Sequence, residues 1–327
     1  MALEAVSPSD HAPQVSRLRP SPEADFQLST KSPTVVTSPV SFVSPAAARR
    51  GPRPLLLAIP RYWHLLSLDA PTVAVLWAWS FARVAQVRPS AAAVAILGLG
   101  TWLIYVADRL LDARAGAPRL NLRERHYFHR RHRRALLVSG SAAGLLMLLL
   151  IVLRMAVAAR REDSALFAAS MIYFGFVHRP RHPIPRWFRR EFSVGIVFAC
   201  ATAVPALSQH PEPRITLLLP VLLFAALCTL NCLAIEEWEQ PAGTDGPRFP
   251  VSLAALPIAA AAAALMLTSE LLSLHAALFS AAALVSALLL LALDRLRRSA
   301  AVSALALRIS ADAALLTPLL LVLPWRR

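Results

Sequence analysis

Asp108 and Asp112 stand four residues apart in TWLIYVADRLLDARAG, residues 101–116, at the end of a run apolar enough for a lipid bilayer. On a helix that spacing puts both carboxylates on one face, one turn apart. There they repel each other, and at a helix C-terminus the macrodipole adds about 0.3 to 1 kcal/mol of penalty to each. A divalent cation would reverse both effects. Magnesium is the ion that fits, because it shares a few carboxylates with the phosphate oxygens of a substrate and keeps its remaining waters. Arg109, between the two acids, offers a planar fork of donors to such phosphates. The plainer alternative is an ordinary helix end, with Asp108 beside Arg109 and Asp112 beside Arg114 reaching for lipid headgroups.

A second acidic group closes another apolar run in LNCLAIEEWEQ, with Asn231, Glu236, Glu237 and Glu239. Acids at the mouth of a membrane span are expensive, which makes both groups candidates for metal and diphosphate binding. Tyr173, in MIYFGFVHRPRH, is a candidate to line a cavity and Arg179 to face it. His126, His129 and His132 recur at three-residue spacing in RERHYFHRRHRR. Three imidazoles suit a metal, but the surrounding arginines repel one, and a basic amphipathic surface helix is the simpler reading. Asp294 beside Arg295, and Asp312 one turn after Arg308, read as structural ion pairs, Asp312 being the deeper.

The elements that must hold these residues are apolar helices. Of the 327 residues 57% are hydrophobic and only 16% charged, and mean hydropathy is +0.53, which excludes an ordinary soluble domain. Nine apolar runs follow one another at about residues 68–87, 91–111, 135–158, 164–178, 192–209, 214–235, 249–269, 271–293 and 301–324. Most reach the ~20 residues a span requires, the fourth and fifth being the shortest. Pro205, Pro220, Pro257 and Pro318 fall in or at the start of runs, where they kink helices. The fold class expected is therefore all-α, a polytopic membrane bundle of about nine helices over residues 54–327. Residues 1–53, rich in Pro, Ser and Ala without a period, read as a disordered tail, and no basic segment leading into an apolar core marks a cleavable signal there.

The net charge of +15 is almost entirely arginine, since Lys31 is the sole lysine. These arginines lie in short clusters between apolar runs, where anionic lipid holds them, so membrane lipids and not nucleic acid account for the charge. Alternate loops hold seventeen arginines against six on the other side, which puts the N-terminus and both acidic groups on the cytoplasmic face. Cys200, Cys228 and Cys232 all sit inside apolar runs and read as small hydrophobes.

With two acidic groups closing the second and sixth helices on one face, residues 55–325 resemble the UbiA superfamily of intramembrane prenyltransferases. The family motif is N-D-x-x-D-x-x-x-D. IYVADRLLD keeps Asp108, Arg109 and Asp112, with Ile104 and Tyr105 at the first two positions; NCLAIEEWE keeps Asn231 and ends on Glu239, with Cys232 and Ile235 in place of acids. The resemblance implies a bacterial inner-membrane enzyme with cytoplasmic active-site loops. Magnesium on Asp108 and Asp112, helped by Glu236, Glu237 or Glu239, would assist transfer of a prenyl group from a prenyl diphosphate to a lipophilic, aromatic acceptor. Asp108 and Asp112 would be the catalytic pair, and Arg109, Tyr173, Arg179 and Asn231 would bind diphosphate. The alternative is a non-catalytic isoprenoid-binding or assembly protein of the same fold, which the missing motif acids favour. A transporter is disfavoured by the lack of charges in paired broken helices near midplane.

Overall fold

The structure, a computed structural model, describes residues 55–113, 124–155, 190–209, 215–239, 250–269, 273–298 and 302–322, with Arg160, Ser164 and Ala168 as isolated positions. The tail, the run at 164–178 apart from Ser164 and Ala168, Tyr173 and Arg179 lie outside the described residues. All regular structure among the described residues is helical. The elements are α1 (Leu55–Leu65), α2 (Asp69–Val84), α3 (Ala91–Asp112), α4 (Glu124–Arg131), α5 (Arg133–Arg154), α6 (Arg190–Leu207), α7 (Ile215–Glu239), α8 (Val251–Ser269), α9 (Leu274–Arg298), α10 (Ala304–Ala314) and α11 (Pro318–Leu321).

Five of these, α3, α5, α7, α8 and α9, are long and apolar enough to cross a bilayer, and α1 with α2 makes a sixth if the 93° bend between them is counted as one broken span. Burial sorts the five. The most apolar stretch of α7 is 61% buried inside the protein and that of α5 only 6%, so α7 is a central helix and α5 a peripheral one, packed on α3 through Gly140, Gly144 and Met147. Trp77 and Phe81 of α2 stack and edge against Phe224 of α7 and Phe279 of α9, at ring separations of 4.4 to 5.8 Å. All four rings are fully buried.

Lipid is as apolar as leucine, so helices in a bilayer associate through close packing of small residues. The α8–α9 pair follows that rule, with Ala255, Ala259 and Ala262 buried on one helix and Ala282, Ala283 and Ala287 on the other. The α6–α7 pair is closer still. A Cβ added at Gly195 would collide with the Thr229 side chain and would come within 2.9 Å of Ala225 O and Thr229 N. Gly195→Ala should therefore lower the thermal unfolding midpoint in detergent, with a penalty of about 1–3 kcal/mol. Thr229→Ala in the same chain should restore only part of it, because two of the three obstructing atoms are backbone.

The run expected to form one helix at 301–324 is broken. Ser303 caps α10 by accepting from Ala306 N at 3.3 Å, the chain turns over Leu315–Thr317, and Pro318 starts α11. Irregular backbone is tolerated at such depth only where the protein satisfies it. Here the Trp77 indole donates to Leu315 O at 2.8 Å, and the Thr317 hydroxyl donates to Ala282 O at 2.9 Å while lying 2.8 Å from Ser286 Oγ.

Candidate functional site

The break between α1 and α2 is built on Ser67, whose φ of 60° lies in the left-handed region that a side chain rarely adopts. The turn exposes backbone acceptors, and Arg109 of α3 fills it. Its guanidinium donates to His64 O and Ser67 Oγ, each at 2.8 Å, and to Asp69 Oδ2 at 3.2 Å. Arg109 is 3% exposed. The residue expected to reach outward to phosphates or headgroups therefore points into the bundle and secures a helix break.

Asp69 begins α2 and accepts from its neighbour Ala70 N at 3.0 Å through Oδ1. Its Oδ2 also meets His64 Nδ1 at 2.8 Å. The same nitrogen is 3.6 Å from Asp312 Oδ2 on α10. Asn231 of α7 donates through Nδ2 to Asp312 Oδ1 at 3.4 Å, and its own amide oxygen is buried without a partner. Two carboxylates, an imidazole and an amide from four helical segments thus meet at one place. Tyr105, which stands where the family motif has an acid, lies within electrostatic reach of Asp69, Asp312 and Arg109.

Helix α4 closes this end of the bundle. Its histidines do not all lie on a surface, as the pattern of basic residues suggested: His126 and His129 are buried and only His132 is exposed. His129 Nδ1 lies 2.9 Å from Arg125 O, a pure acceptor, so Nδ1 carries the proton and donates. Nε2 is then free to accept from the Ser67 hydroxyl at 3.2 Å. Burial, reinforced by the charges of Arg109 and Arg125, pulls the His129 pKa down to about 4.

A consequence for pH follows. The unfolded chain takes up the His129 proton near pH 6.5 and the folded protein only near 4, so the stability due to neutral His129 is complete above about pH 6.5 and drains away between 6.5 and 4. The full span is worth about 3 kcal/mol. Thermal unfolding in detergent between pH 7.5 and 4.5 should show a fall that His129→Gln, which does not titrate, reduces.

The two acidic groups singled out in the sequence do arrive at one end of the bundle, with α4 between them. Asp112 Oδ2 lies 3.9 Å from His126 Nε2, and Glu239 Oε1 lies 3.5 Å from Arg125 Nη1. Their chemistry there is uneven. Asp108 and Asp112 are half-buried one turn apart at the end of α3, and Glu236 is exposed. Glu237 is buried against Arg297 at 3.4 Å. Glu239 is held by Arg308 at 2.8 Å as well as by Arg125. The pairing of Arg308 with Asp312 expected from their spacing is replaced by this longer link. Asp294 likewise pairs with Arg298 at 2.9 Å and accepts from the Trp238 indole at 3.0 Å, in place of Arg295. Among the described residues, the compact group of three possible metal ligands is His64, Asp69 and Asp312, and it includes none of the five acids expected to bind magnesium.

His64 and Asp69 escaped the sequence reading although a signal was present. Both are ionisable residues at the mouth of the first apolar run, the same class of signal that marked Asp108 and Asp112. Comparison with protein-family models, with characterised proteins and with solved structures gives no match to this chain.

Proposed function

We propose that this protein binds a prenyl diphosphate at the end of the bundle where α3 and α7 finish, and transfers the prenyl group to a lipophilic aromatic acceptor. The observation that carries the reading is the shared contact with α4, which brings Asp112 and Glu239, ends of two helices remote in sequence, to one side of the protein. Asp108 and Asp112, half-buried and one turn apart, suit a hard cation shared with phosphate oxygens. Magnesium held there would supply charge neutralisation to the departing diphosphate. The chain's own part is to position that pair, to offer arginines from the loops to the phosphate oxygens, and to keep water from the allylic carbon within the apolar bundle. The topology that goes with this reading has nine spans, with the N-terminus and this end of the bundle facing the cytoplasm of a bacterial inner membrane.

A second reading, binding of an isoprenoid diphosphate without turnover, is favoured by one observation. Arginines already occupy Glu237 and Glu239, so the second acidic motif is engaged in ion pairs where transfer chemistry would use it for metal. Purified protein incubated with labelled prenyl diphosphates, Mg²⁺ and a panel of aromatic acceptors separates the two. Transfer should occur and fall about a hundredfold or more in Asp112→Ala. Diphosphate release that ignores this substitution would sink the catalytic reading, and Mg²⁺-dependent binding without release would establish the second.

A further inference from the structure

We infer that His64, Asp69 and Asp312 form a binding site for a divalent transition-metal ion, beside the buried Asn231 amide. The three ligand atoms lie within 4.8 Å of one another. His64 Nδ1 is 2.8 Å from Asp69 Oδ2 and 3.6 Å from Asp312 Oδ2. Metal–nitrogen and metal–oxygen bonds of about 2.0–2.2 Å set adjacent ligands roughly 3 to 3.5 Å apart, so a small shift of the imidazole away from Asp69 would seat an ion among the three.

Charge and hydrogen bonding point the same way. Two carboxylates, Asp69 and Asp312, face a single guanidinium, Arg109, so acidic groups outnumber the fixed cation around the imidazole. A cation on Nδ1 takes the place of the proton that otherwise bridges His64 and Asp69. Arg109, at 3.2 Å from Asp69 Oδ2, then acts as the outer partner that orients a ligating carboxylate, a role commonly filled by such donors. Asn231 supplies independent support. It is more than nine-tenths buried, its Nδ2 touches Asp312, and its Oδ1 has no partner; a buried acceptor left so is costly unless something positive faces it.

The donor set decides the class of ion. One imidazole with two carboxylates, and no thiolate among the three, suits Mn²⁺, Co²⁺, Fe²⁺ or Zn²⁺ in preference to Cu⁺. This site is separate from the carboxylate pair at the end of α3, and the inference stands whether or not the protein turns over a prenyl diphosphate.

The test is metal binding by the full-length protein in detergent. After chelator treatment, dialysis against Mn²⁺, Co²⁺ or Zn²⁺ followed by elemental analysis should return about one ion per chain for at least one of the three. Bound Co²⁺ should show visible ligand-field bands, and the bound ion should raise the unfolding midpoint. His64→Ala and Asp312→Asn should weaken binding tenfold or more, and Asp112→Asn should leave it intact. If His64→Ala fails to fold, Asp312→Asn carries the comparison, since Asp312 is the least buried of the three. Background metal in the wild type with all three ions, binding unaffected by Asp312→Asn, or binding abolished by Asp112→Asn would each overturn the inference.

Discussion

Replacement of Arg109 by methionine is expected to destabilise the protein by about 3–5 kcal/mol, the usual effect of leaving one member of a buried ion pair without its partner. Methionine keeps much of the side-chain volume, so the loss would be one of charge and hydrogen bonds. Arg109 donates to three acceptors in the α1–α2 break, and without it the Asp69 carboxylate faces a dry interior with only His64 and Ala70 N to hold it. Two companion variants separate the causes. Arg109→Met with Asp69→Asn should recover a substantial part of the loss, because the uncompensated charge is gone. Arg109→Lys should fall between wild type and Arg109→Met, since an ammonium keeps the charge but cannot span three acceptors. Unfolding midpoints in detergent provide the measurement, and an unchanged midpoint for Arg109→Met would show that the break does not depend on this guanidinium.

Trp77→Ala should be comparably severe, at about 3–5 kcal/mol. The indole is fully buried between Phe224 and Phe279, and truncation opens a cavity at the junction of α2, α7 and α9. It also strips the donor from Leu315 O, where the last apolar run is interrupted. Trp77→Phe tests that second part alone. It retains a ring in the stack, yet leaves a buried carbonyl unsatisfied, worth about 1–3 kcal/mol. Thermal unfolding of the two variants should rank wild type above Trp77→Phe and Trp77→Phe well above Trp77→Ala.

The helices were legible because apolar runs of this length have few alternatives in lipid. The end of the bundle that gathers polar residues was legible from Asp108, Asp112 and the 231–239 segment, which arginine counting placed on one side together. Which way each side chain faces was not legible. In a soluble helix a polar stripe marks solvent, but α3 is apolar on both its lipid and its protein sides, so Arg109 gave no sign that it turns inward while its neighbours Asp108 and Asp112 stay half-buried at the rim. The His64, Asp69 and Asp312 group was hidden for another reason. His64 and Asp69 are separated from Asp312 by most of the folded chain, and the sharp turn at Ser67 and the interruption after α10 bring the three together. Neither feature has a local signature beyond Pro318.

Only His132 separates α4 from α5, so the helix that carries Arg125 and His129 runs on into one that packs along α3 through Gly140, Gly144 and Met147. A helix of 22 residues extends about 33 Å, close to the hydrocarbon thickness, and adjusts to thinner or thicker bilayers mainly by tilting. The Ser67–His129 and Arg125–Glu239 contacts tie the α4 end of that pair to the α1–α2 break and to α7.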